Sequence, residues 1–317
     1  MRIPAVEVTE VLRRPETEAD AWLPEGPRLV RHADRTWLGW VNIQTGPDAV
    51  VGSIHLLETA TRTHRRIDLD DRPGFFVDRG DGTAIVGTGK RLRLLNWTTE
   101  ELTDLATLDD DSPHTIVNDG EATPDGSAIV FGTKDVRFQE RIAALYLYTH
   151  ADRQVAKLAG DMTCSNGKVL YSRGEDRFTL YDIDTPRKLV ERYELNLRKR
   201  SVRYEGIAVD LRHRQDYPDG MCPSWEDDLA VVAFYHPGEV SHGCAELFDL
   251  KLGQSVLQWL TPGSPRVTSA LMVLHPKTAT QPRDLTQMFL TTAVEGMPDH
   301  QRVNSPNAGC IFVSQLG

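Results

Sequence analysis

The chain has 317 residues, 40% of them hydrophobic, and sets 36 Lys and Arg against 46 Asp and Glu, a formal net charge of −10. That length allows one large folded unit or two small ones, and the negative charge, with basic residues scattered apart from Arg198-Lys199-Arg200, argues against phosphate backbones and anionic lipid surfaces as partners. Acids appear at the N-terminus before any apolar run, and no segment has the roughly 18 uninterrupted apolar residues of a membrane span, so the expectation is a cytoplasmic protein that binds neither nucleic acid nor membrane.

In chain order, residues 6–12 alternate as a strand would. Further β-branched and apolar runs follow at 36–43, 83–86, 127–131, 229–234 and 287–291, divided by turn clusters such as Asp81-Gly82, Pro124-Asp125-Gly126 and Glu226-Asp227-Asp228. The best helical candidate, 136–144, has poor apolar spacing and reads as a loop or one helical turn. The pattern is all-β.

Six Gly- or Pro-marked segment starts recur: Pro24-Glu25-Gly26-Pro27, Arg72-Pro73-Gly74, Asn118-Asp119-Gly120, Ser165-Asn166-Gly167, Pro218-Asp219-Gly220 and Gly263-Ser264-Pro265. They lie about 45 to 53 residues apart, the spacing of four-stranded propeller blades. The fold predicted is a six-bladed β-propeller, one domain over 1–317, with residues 6–12 as the N-terminal strand that closes the last blade.

Residues at equivalent blade starts converge on the axis of a propeller. Three starts place an oxygen-bearing side chain before glycine: Glu25, Asn166 and Asp219; Asn118 precedes Asp119-Gly120. Two carboxylates with amide carbonyls make a hard site suited to a divalent cation. The same dipeptides are also ordinary turn formers, and spacing alone leaves both readings open.

The other polar residues give weaker signals. Cys164, Cys222, Cys244 and Cys310 lack any C-x-x-C pairing and read as free buried thiols. His213, His236, His242, His275 and His300 lack metal-ligand spacing. The acidic run Asp109-Asp110-Asp111 and His114 read as a solvated loop near the tunnel mouth, and Trp40 and Trp97 as packing between sheets. Nucleophile-elbow, phosphate-loop and dinucleotide motifs are absent.

The motifs Pro24-Glu25-Gly26-Pro27, Trp40-Val41-Asn42-Ile43, Leu95-Asn96-Trp97, Asn118-Asp119-Gly120, Ser165-Asn166-Gly167, Tyr181-Asp182-Ile183-Asp184-Thr185, Pro218-Asp219-Gly220-Met221-Cys222 and Asn307-Ala308-Gly309-Cys310-Ile311-Phe312 resemble, in order and interval, the gluconolactonase, regucalcin and luciferin-regenerating-enzyme family. The resemblance implies Glu25, Asn166 and Asp219 as metal ligands and Asn118, with Asp119 beside it, at the substrate or a metal-bound water. It further implies one divalent ion, calcium first, with zinc, manganese, magnesium or iron also accepted.

The activity expected from the resemblance is metal-dependent lactone hydrolysis, with Asp219 as both ligand and base; hydrolysis of phosphorus esters and cation binding without catalysis are the alternatives. Two departures bear on substrate. Ile116 stands where sugar-lactonase members often carry Arg, which predicts a less polar ligand, and Lys134 stands where Met is usual. Lys134 could hold a carboxylate or a developing negative charge; a solvated loop residue paired with Asp135 is the equal alternative.

Overall fold

The computed structural model describes residues 5–274 and 286–316. Six antiparallel sheets follow one another along the chain. The innermost strands are Pro24–His32, Pro73–Asp78, Thr115–Ala122, Ser165–Ser172, Tyr217–Pro223 and Val267–Leu274. Each packs against the next, and the sixth packs back against the first, so the sheets form a closed six-bladed propeller. Helix among the described residues is confined to Glu18–Ala21, Asp299–Asn304 and the 3-10 turn Thr185–Arg187, none able to cross a membrane.

The strand period of two explains how a blade serves two neighbours at once. In the second strand of the fifth blade, Leu229–Tyr235, Ala230, Val232 and Phe234 pack toward the fourth blade, while Val231 and Ala233 pack toward the sixth. Ala128–Asp135 in the third blade divides likewise, Ala128 and Val130 one way and Ile129 and Phe131 the other. Such strands are buried on both faces, which is why they read as unbroken apolar runs. Six apolar clusters result among the described residues, one between each pair of adjacent blades. Trp97 is buried between the first and second blades, as the sequence suggests.

The N-terminal segment closes the ring, but not as one strand. Glu10–Arg13 pairs antiparallel with Ile311–Leu316 and completes the sixth blade. Ala5–Val8 instead adds a parallel fifth strand to Gln254–Pro262 of the fifth blade. The break is at Thr9, whose N–H and hydroxyl both donate to the Leu260 carbonyl, at 3.0 and 2.7 Å. Segment 6–12 thus staples two blades rather than one.

All but the last of the glycine-marked starts are also not turns; Gly263 is one. Five of the six lie in the innermost strands, and all six of those strands carry a bulge near the start, where pairing with the second strand slips. A bulge bends a strand and re-aims its side chains. Glycine follows for a reason of packing: a Cβ on Gly167 would overlap the Met221 nitrogen and the Asp219 carbonyl of the next blade, and one on Gly220 would overlap Ser269. First strands approach closely there, and a side chain does not fit; Gly26 is the exception, with open space around it and a φ of +54° as its reason.

Candidate metal centre

One cavity, of about 390 Å³, lies at the ends where first strands begin and second strands finish. Glu25, Asn166 and Asp219 all line it, drawn together from the first, fourth and fifth blades. Each is less than one-tenth exposed. Asn118 and Lys134 from the third blade, Thr185 just past the second strand of the fourth, and Glu295 from the segment after Thr286–Thr292 add to its polar lining.

Polar side chains at or just past the ends of second strands hold the chain just before each candidate ligand. Asn42, fully buried at the end of Arg35–Asn42, accepts the Leu23 N–H at 2.9 Å and donates to the Ala19 carbonyl at 2.6 Å, fixing the approach to Glu25. Asp184, at the end of Arg177–Asp184, accepts the Thr163 and Cys164 N–H groups at 3.3 and 3.1 Å, fixing the approach to Asn166. In both cases the anchored group lies two residues before the ligand. Thr185 does the corresponding work for Asp219, donating to the Pro218 carbonyl at 2.9 Å. Asn166 is braced from its other side by Lys168, whose ammonium donates to the Asn166 carbonyl at 2.6 Å and pairs with Asp182 at 3.2 Å.

Asn166 and Asp219 are in direct contact, and Glu25 feels the charge of Asp219. Asn166 Nδ2 donates to Asp219 Oδ1 and to Thr185 Oγ1, the latter at 3.2 Å. Burial pushes the Asp219 carboxyl up to about 8, against the opposing pull of Lys134. Burial, followed by the negative charge of Asp219, raises Glu25 well above the usual carboxylate range. Two carboxylates that cannot both ionise without help, beside an amide, form a donor set that a divalent cation would relieve of its repulsion. The residues therefore fit such an ion, with Asn166 turning its oxygen rather than its nitrogen toward it. No cluster of three His, Cys, Asp or Glu side chains placed to hold a metal occurs among the described residues; this set is two carboxylates and an amide.

Of the residues singled out for substrate, Asn118 faces the cavity, its amide nitrogen donating to the Ser165 carbonyl at 3.2 Å. Asp119 does not line the cavity: Asn118 and Asp119 stand opposite the single residue Gly132 in the bulge, and only one of them can point inward. Its charge is still felt by Glu25 and Asp219. Ile116 is buried but does not line the cavity either; Lys134, directly across the sheet, has the longer stem and reaches in. The solvated-loop reading of Lys134 fails, since it lies buried within Ala128–Asp135 and Asp135 pairs instead with Arg137 at 3.1 Å.

The acidic run is partly structural: Asp110 accepts from Thr115 at 2.7 Å and faces the Lys90 ammonium at 3.4 Å. The four cysteines are free and buried. His275 lies outside the described residues. The less polar wall that Ile116 leads one to expect is supplied elsewhere, by Leu23, Phe138, Pro186, Tyr217, Tyr235 and Pro237. These residues, Cys164 and Glu295 had no sequence signal except position, next to a first-strand start or just past a second-strand end.

Residues 23–293 match the model of the SMP-30/Gluconolactonase/LRE-like region. Regucalcin of Xenopus laevis is 24% identical over 265 residues, 82% of either chain. Among solved structures, a calcium-binding protein, regucalcin, from Agrobacterium tumefaciens superposes with a TM-score of 0.80 at 20% identity, covering 99% of this chain and 96% of its own. A gluconolactonase from Xanthomonas campestris superposes with a TM-score of 0.62 at 16% identity, covering 95% and 88%.

Proposed function

The chain belongs to the SMP-30/gluconolactonase/LRE-like family, and from that premise we propose that it is a divalent-cation-dependent hydrolase that opens a lactone. The observation that carries this reading is the meeting of Glu25, Asn166 and Asp219, from three separate blades, in one walled cavity. Calcium is the ion proposed, in keeping with the hard oxygen donors and with the Agrobacterium regucalcin described as calcium-binding. A bound cation would supply Lewis-acid polarisation of the ester carbonyl, an effect worth several kcal/mol.

The chain's own groups do the rest. Asp219 takes a proton from the attacking water as the new C–O bond forms at the carbonyl carbon; the ring C–O bond then breaks, and the same proton passes from Asp219 to the departing ring oxygen, which becomes the hydroxyl of a hydroxy acid. This role is tied to the cation, because a carboxyl pushed up to about 8 keeps its proton at neutral pH and cannot act as a base. Asn118 presents its amide oxygen to the substrate, and Leu23, Tyr217 and Tyr235 wall the cavity against bulk water.

The test is a lactone panel assayed with and without chelator, using Asp219→Asn as control. The reading predicts that chelation abolishes turnover reversibly, and that Asp219→Asn lowers kcat by about 10³-fold or more while weakening cation binding. Full activity of the variant, or activity indifferent to chelator, contradicts it. A second reading, a calcium-binding propeller without turnover, draws on the description of the Agrobacterium protein; tight calcium binding with no ester hydrolysed would favour it.

A further inference from the structure

We propose that Lys134 selects lactones that carry a carboxylate group; this specifies the substrate class and rests on the lactonase reading above. Lys134 is fixed in place by its backbone, opposite Ile116 in its own sheet and bridged to Cys164 at the edge of the fourth blade. Its side chain, 8% exposed, lines the cavity with the candidate ligands.

Among the described residues, no carboxylate oxygen lies within ion-pair distance of its ammonium. The adjacent Asp135 is committed elsewhere: it accepts the Arg137, Gln139 and Glu140 N–H groups at 3.1, 3.1 and 2.8 Å and the Arg137 guanidinium at 3.1 Å. A buried ammonium without a contact partner is costly, and the open direction is into the cavity.

The charges around the cavity can be assigned in turn. Glu25 and Asp219 are the acids a divalent cation neutralises. The charge of Glu295 is felt by the buried Arg266 guanidinium, which donates to the Glu295 main-chain oxygen, and Asp119, outside the cavity, acts on Arg28. Lys134 then has no carboxylate in contact among the described residues, and a substrate carboxylate is the group that completes it. Its surroundings specify the rest of the ligand: the Phe138 ring lies 5.9 Å from the ammonium, and Ile116 brings no competing donor. A compact lactone with few hydroxyls and one acidic end fits that combination.

The competing account is that Lys134 only offsets Glu25 and Asp219, whose carboxyls its charge pulls down. A matched pair separates the two: 5-oxotetrahydrofuran-2-carboxylate and its neutral primary amide, assayed as substrates with calcium present. The saturated analogues, tetrahydrofuran-2-carboxylate and its amide, serve as non-hydrolysable ligands in calorimetry. Wild type should prefer the acid by about tenfold or more in kcat/KM and in Kd. Lys134→Met, which conserves volume, should collapse both ratios toward one, and Lys134→Arg should retain them.

If lactones are hydrolysed but the ratios do not change in Lys134→Met, the carboxylate is read by the cation or not at all, and the inference is overturned while the lactonase reading stands. If nothing is hydrolysed yet calorimetry shows a preference that depends on Lys134, its recognition of a carboxylate stands, and the lactonase reading, with the lactone as its ligand, falls. Absence of any acid preference in wild type overturns the inference directly.

Discussion

Asp219 must be ionised to hold a cation, yet burial pushes its carboxyl up to about 8 and raises Glu25 as well. The sign of the consequence is fixed by linkage. Between the ordinary carboxylate range and about pH 8 the folded, cation-free protein holds protons that the unfolded chain has released, so its stability falls as pH rises through that window. A cation competes with those protons, and its stabilising effect therefore grows with pH. Saturating calcium is predicted to raise Tm by about 5 °C or more at pH 8 and by little at pH 5. An equal rise at both values would place the ion elsewhere. Asp219 was legible in sequence because it sits before glycine at blade period and matches a family motif. For Lys134 the sequence left two readings level, because the direction of a side chain at a strand end depends on where its neighbour Asp135 is engaged.

At the scale of the strand, the bulged starts carry the site. Gly167→Ala should cost about 2 to 4 kcal/mol, since the added carbon meets main-chain atoms of the next blade that cannot turn aside. Because those atoms belong to Asp219 and Met221, calcium affinity should fall along with stability, as denaturant melts and calorimetry would show. A substitution tolerated with both unchanged would mean that the blades do not meet there. Strand spans were readable at 36–43, 83–86, 127–131, 229–234 and 287–291, where β-branched runs coincide with observed strands. The bulges were not, because a slip of one residue leaves no mark on the alternation of a short segment. The Asn166-Gly167 pair looked like a turn because the reason for its glycine lies in the backbone of another blade.

At the scale of the whole ring, closure depends on a polar string. Arg13, on the closing strand, donates to His64 Nδ1 at 2.8 Å; the His64 proton is then on Nε2 and is given to His55 Nδ1 at 3.0 Å, and His55 in turn gives its Nε2 proton to Ser53 at 2.8 Å. Both rings are neutral and stack on Trp40. His55, 1% exposed, is pushed down to about 3 by burial. Its contribution is complete above the unfolded value near 6.5 and is lost as pH falls toward 3, up to about 3 kcal/mol by pH 4. Measured without added cation, the Tm of wild type relative to that of His55→Gln should accordingly fall between pH 6.5 and 4; an unchanged difference would remove the seam from the account. Six-fold periodicity and closure from the N-terminus were legible in the chain, whereas the division of that segment at Thr9 and the histidine string arise only from contacts across blades. The central claim is that side chains from three blades gather one cation on the axis. Anomalous diffraction from crystals grown with manganese tests it most directly: the account predicts a single strong peak bounded by oxygens of Glu25, Asn166 and Asp219, and a cavity without a peak, or a peak away from those three, would contradict it.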